Sequence, residues 1–149
     1  MKEKILKGLM AEAASLGACG LLEEGMGAED FAGLLRTPQG REFCAVHDWP
    51  KAASVRGLGD AAMPGLVIAA DMCGEIRGEV VDALLSGPGT RAAVIMRGTA
   101  GLHHVVAVDG ADVTVLAGGY AVGCVDVSAT SRVRVVDTDG TSRVRIFHN

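Results

Sequence analysis

A five-residue block near the carboxyl end returns almost unchanged eleven positions later, as Ser131-Arg132-Val133-Arg134-Val135 and then Ser142-Arg143-Val144-Arg145-Ile146. Two related blocks precede it, Asp112-Val113-Thr114-Val115 and Cys124-Val125-Asp126-Val127. Each alternates an apolar with a polar side chain, the period of a strand buried on one face. Starts at 113, 125, 133 and 144 leave steps of 12, 8 and 11 residues. Such links are too short for a crossover between paired parallel strands. The blocks must therefore be hairpins of an antiparallel meander or the successive walls of a coil. The connecting segments 117–120, 128–130 and 137–141 are small and polar, which suits tight corners. The inward positions are nearly all valine, as expected when like side chains stack from rung to rung. Both features favour a β-solenoid, with the antiparallel β meander as the alternative.

The amino-terminal part has a different chemistry. Residues 1–60 hold eight leucines and two valines, and residues 61–149 hold sixteen valines. Every lysine lies at or before Lys51. Leucine, glutamate and lysine favour helix, whereas valine suits a pleated surface. Ile5, Leu6, Leu9, Met10, Ala13 and Leu16 share one helical face, and Gly17 is a natural stop. A second helix is predicted over Ala28 to Arg36, with Phe31, Leu34 and Leu35 inward. Thr37-Pro38 reads as a cap followed by a first-turn proline, opening a third helix that Trp49-Pro50 ends. The turn-rich stretch 57–65 marks the boundary between the two parts. Strands are predicted at Leu66 to Ile68, Ala93 to Met96 and Val105 to Val108. Residues 75–86 stay undecided, because Ile76, Val80, Val81, Leu84 and Leu85 have helical spacing that Gly78 interrupts.

The chain is long enough for one real core. Its charge of −4 argues against a general nucleic-acid binder. No run approaches the roughly 18 apolar residues of a membrane span, and the charged amino terminus is unlike a secretion signal. Cys19, Cys44, Cys73 and Cys124 form no CxxC pair and read as reduced, mostly buried thiols. A cytoplasmic location is the expectation.

Several stretches resemble a family of small uncharacterised proteins of gut bacteria and their phages. They are Glu12 to Cys19, Gly40 to Cys44 with His47-Asp48-Trp49-Pro50, and Asp112 to Ala121. The resemblance implies helices leading into repetitive valine-rich strands. It implies no activity, ligand or catalytic residue.

The arginines Arg132, Arg134, Arg143 and Arg145 form the candidate ligand site. If their strands stacked, four guanidinium groups would lie within about 10 Å, suited to phosphates or carboxylates. The competing reading is a solvated face, with Asp126, Asp137 and Asp139 as partners. His103-His104 and Cys44/His47 supply too few converging ligands for zinc, so no metal is expected. Cys44 with a histidine is the only hint of a thiol nucleophile. Asp137-Thr138-Asp139-Gly140-Thr141 resembles part of a calcium loop but lacks the downstream glutamate, and a plain turn is the better reading. Tyr120 and Trp49 are expected to pack against the core.

The expected fold is α+β: a helical cap over 1–60 and a short right-handed β-solenoid over 61–149, acting as one unit. The helices should cover one end of the coil and a second copy the other. The expected function is that of a non-catalytic binding or assembly protein using the solenoid surface, self-associating, with an anionic small molecule such as a nucleotide as a possible ligand. No cofactor is expected. The alternatives are an enzyme with a cleft between cap and solenoid, and a purely structural assembly unit.

Overall fold

The computed structural model describes residues 2–18, 26–58 and 65–149. Among these, the first helix α1 (Lys2–Ala13) runs into a wider turn at Ala14–Ala18, where Gly17 takes φ 111° and breaks the helix. Helices α2 (Ala28–Leu35), α3 (Pro38–His47) and the short α4 (Ala52–Val55) follow. The Thr37 hydroxyl accepts a hydrogen bond from the Gly40 N–H at 3.0 Å, so Thr37-Pro38 is the predicted cap and first-turn proline.

Nine strands complete the described chain: β1 (Val67–Ala70), β2 (Cys73–Arg77), β3 (Asp82–Ser86), β4 (Arg91–Arg97), β5 (His103–Val108), β6 (Asp112–Gly118), β7 (Val122–Val127), β8 (Arg132–Asp137) and β9 (Arg143–His148). Odd strands form a sheet in the order β1-β3-β5-β7-β9 and even strands one in the order β2-β4-β6-β8. Every pairing is parallel, which excludes the antiparallel meander. The chain crosses from one wall to the other at each corner. This is a β-solenoid of about four turns, two strands per turn.

The stacks that hold it include the predicted valines. Ile76, Val94, Val115 and Val135 lie in register on one wall, and Ala83, Val105, Val125 and Ile146 on the other. The central members are fully buried, each contributing roughly 1.5–3 kcal/mol when it is valine. Corner polar groups stitch one turn to the next. Asp139 accepts from the Gly119 N–H and Thr141 from the Tyr120 N–H, so residues 137–141 form a structural turn.

Residues 75–86, which the sequence leaves undecided, belong to two strands on opposite walls. Three expectations change. The helices do not close an end of the coil. They pack on the outer face of the five-stranded sheet, where Leu9, Phe31, Leu35, Cys44 and Trp49 share a core with Ile68, Leu84, Val106 and Val108. The outward Ile68, Leu84, Val106 and Val108 of β1, β3 and β5 are apolar, so this part of the face needs a cover. Tyr120 is 68% exposed on a corner rather than packed, whereas Trp49 is buried as predicted. Of the described cysteines only Cys44 is buried; Cys73 is exposed and Cys124 intermediate. Cys19 and most of the expected boundary at 57–65 lie outside the described residues. None of the described helices is long and apolar enough to cross a membrane.

Candidate functional site

The four arginines of the repeated block divide between the two walls. Arg132 and Arg134 belong to β8 in the four-stranded sheet, Arg143 and Arg145 to β9 in the five-stranded sheet. Inward valines alternate with them, so each pair points away from the other across the thickness of the coil. The strands do not stack on each other, and the four groups form no single cluster. Arg132 and Arg134 line a shallow groove of about 480 Å³ with Asp112, Thr114, Ser131 and His148. None of the four takes part in an ion pair among the described residues. Asp137 and Asp139 are engaged in their own turn, and Asp126 lies elsewhere.

The last described turn has no strand stacked beyond it among the described residues. Among the described residues β8 pairs only with β6 and β9 only with β7. Arg132 and Thr138 donate backbone hydrogen bonds to β6-side carbonyls, and Arg143 and Asn149 to β7-side carbonyls. Strand alternation then aims the N–H and C=O groups of Val133, Val135, Val144 and Ile146 outward. The side chains of these four residues are only part-buried, although the same inward positions one turn earlier are fully buried.

A cleft opens between α3 and the outer face of the five-stranded sheet. It has a volume of about 420 Å³ and is lined by Arg41, Glu42, His104, Cys124, Asp126 and Phe147, with Pro38, Leu102 and Asn149 at its margins. Four of these, His104, Cys124, Asp126 and Phe147, come from register. Asp82, His104, Cys124 and Arg145 are neighbours along one ladder, and Val106, Asp126 and Phe147 along the next. Arg41 reaches in from α3, on the helix face that also buries Cys44 and Ala45. Its side chain is 8% exposed, and its nearest carboxylate is Asp82 at 3.5 Å. Arg36 holds the same Asp82 oxygen at 2.8 Å. The Arg41 Nε and the His104 Nδ1 are buried without a hydrogen-bond partner.

These surroundings tune each group. Burial lowers the proton affinity of His104, and the Arg41 guanidinium lowers it further. Burial pushes the Cys124 thiol up and Asp126 adds to this, against Arg41 and Arg145. Burial also raises the Asp126 carboxyl, with Arg41 opposing. His104 and Cys124 sit side by side yet share no hydrogen bond, and both are held neutral. The cleft is better built to hold a ligand than to generate a thiolate.

The candidate pair Cys44 and His47 fares worse. Cys44 is fully buried, and its thiol is pushed up to about 12 by burial and by Asp126. His47 is exposed and stacks on Phe43, with ring centres 4.4 Å apart. His103 points into the coil, where its Nδ1 accepts from the Val81 N–H, and His104 points out, as strand alternation predicts. No group of three or more metal-ligating side chains converges among the described residues. Sequence reasoning missed Arg41, His104 and Asp126 as a set. The one available signal was a charged residue at 41, three positions before Cys44, on the buried helix face.

The expected architecture is present: helices leading into stacked valine-rich strands. No protein-family model, curated protein or solved structure matches the chain.

Proposed function

We propose that this is a non-catalytic binding and assembly protein whose solenoid associates through its last turn. The observation that carries the reading is the part-buried set Val133, Val135, Val144 and Ile146 beside two strands whose outer edges are unpaired among the described residues. An exposed strand edge pairs readily with another chain unless charge, proline or a cover protects it. Here the edge residues that point inward are apolar, and the arginines flank the edge without blocking it. A second copy related by a two-fold axis supplies a matching edge and an apolar continuation of the core. The cytoplasm, where exposed Cys73 stays reduced, is the compartment this reading assumes. Relatedness to the phage-borne family is part of the same proposal.

The arginines give the association a sign. Two copies brought together at this end crowd Arg132, Arg134, Arg143 and Arg145 from each, so screening by salt should strengthen the contact. An anion such as a nucleotide phosphate would act in the same direction, by bridging arginines of the two copies. Multi-angle light scattering tests the reading. The expected result is a dimer at micromolar concentration that tightens with ionic strength. Val135→Lys with Ile146→Lys places charge inside the edge turn and should give a folded monomer. A monomer at every concentration and salt level would refute the proposal.

A further inference from the structure

Arg41 is the only buried arginine among the described residues, and the fold leaves it under-used. A guanidinium has five N–H donors in a fixed fork. Here it has a single ion-pair partner, Asp82 at 3.5 Å, which Arg36 holds more closely, and its Nε has no partner. A buried donor left unsatisfied is costly, more so when charged, so such an arrangement calls for an acceptor. The same cleft presents Asp126, whose residue is 9% exposed and which forms no ion pair among the described residues. A cation and a carboxylate therefore line one cavity without forming a direct ion pair. Leu102, Phe147 and Pro38 add an apolar wall, and the volume of about 420 Å³ falls within the roughly 300–1,000 Å³ of small-molecule sites.

We propose that this cleft binds a small zwitterion, an amino acid with an apolar side chain, its carboxylate on Arg41 and its ammonium beside Asp126. The charge pattern selects against the alternatives. Asp82 beside Arg41 and the cavity-lining Asp126 and Glu42 disfavour a phosphate dianion. A plain carboxylate would satisfy Arg41 and leave Asp126 facing an added negative charge. A plain amine would leave the Arg41 Nε unsatisfied. The His104 Nδ1 is a further buried polar atom for the ligand to engage, and the ligand's apolar part covers Phe147 and Leu102. The two charged groups lie on α3 and β7, and only Phe147 of the apolar wall belongs to β9, so this proposal does not rest on the association.

Isothermal titration calorimetry on the whole protein tests it, with L-phenylalanine, L-leucine, hydrocinnamate, phenethylamine and inorganic phosphate as probes. The two amino acids should bind, and the compounds lacking one charge should bind at least about tenfold more weakly, as expected when a buried charge loses its partner. Asp126→Asn should erase the preference for phenylalanine over hydrocinnamate. Arg41→Lys keeps the charge but loses the fork and should weaken both amino acids by about tenfold or more. Bound amino acid should also slow alkylation of Cys124 and leave exposed Cys73 unaffected. Phosphate or hydrocinnamate binding as tightly as phenylalanine would overturn the proposal, as would no heat from either amino acid at millimolar concentration.

Discussion

Asp48 stands where the helices meet the corners of the solenoid. Its carboxylate accepts from the Asp109 N–H at 2.7 Å, from the Thr130 hydroxyl at 2.9 Å and from Lys51 at 3.0 Å. Asp109 in turn accepts from the Ala52 N–H at the start of α4. Burial alone would raise the Asp48 carboxyl, but hydrogen bonds from Ser128, the Asp109 backbone, Lys51 and Thr130 outweigh it. The value falls from an ordinary 3.8 to about 2. A carboxyl depressed in the folded state stabilises it above the unfolded value, and that stability is lost as pH falls through the folded one. The folded protein should therefore lose about 1–2 kcal/mol between roughly pH 4 and pH 2 through this group, a figure discounted for its contact with water. Asp48→Asn should flatten that part of the pH profile in chemical denaturation. A profile identical to wild type would remove Asp48 from this role. Little of this network was legible in the sequence. Asp48, Asp109 and Thr130 are far apart along the chain, and only the turn geometry brings them together. Arg41 was hidden for the same reason, since the outward positions of β7 read as solvent-facing until α3 is laid over them.

The helices were readable because their signals are local. Gly17, Thr37-Pro38 and Trp49-Pro50 punctuate them, and the apolar spacing of residues 28–36 matches α2. Residues 75–86 were not readable for a physical reason. β2 is an exposed edge strand with one part-buried side chain, Ile76, and β3 is buried on both faces, so neither alternates clearly. Placed end to end, their apolar residues imitate a helical period. Two glycines test the packing of α2 on α3. A Cβ at Gly40 would fall onto the Leu34 carbonyl oxygen, whereas one at Gly33 would meet nothing within 4 Å. Gly40→Ala should force α2 and α3 apart and destabilise by about 1–3 kcal/mol. Gly33→Ala, on an exposed helix face, should stabilise by about 0.5–1 kcal/mol. Thermal melts of the two variants should shift in opposite directions. A neutral Gly40→Ala would mean that the two helices do not touch there.

On the scale of the molecule, the irregular steps of 12, 8 and 11 between blocks become regular once strands are assigned alternately to two walls. Val113 stacks on Val133 and Val125 on Ile146, giving turns of about 20 residues. The repeat was visible; the two-walled cross-section was not, because equivalent residues are separated by a strand of the opposite sheet. That cross-section divides the arginine pairs between opposite faces and leaves the last turn as an end. It also sets the stability gradient, since each turn of a solenoid is supported only by its neighbours. Hydrogen exchange at the outward amides of Val133, Val135, Val144 and Ile146, followed across protein concentration, tests the association most directly. These four amides should exchange fast in dilute protein and become protected as concentration rises, and the paired lysine variant should lose that protection. Fast exchange at all four positions at every concentration would contradict an end that closes on a second copy.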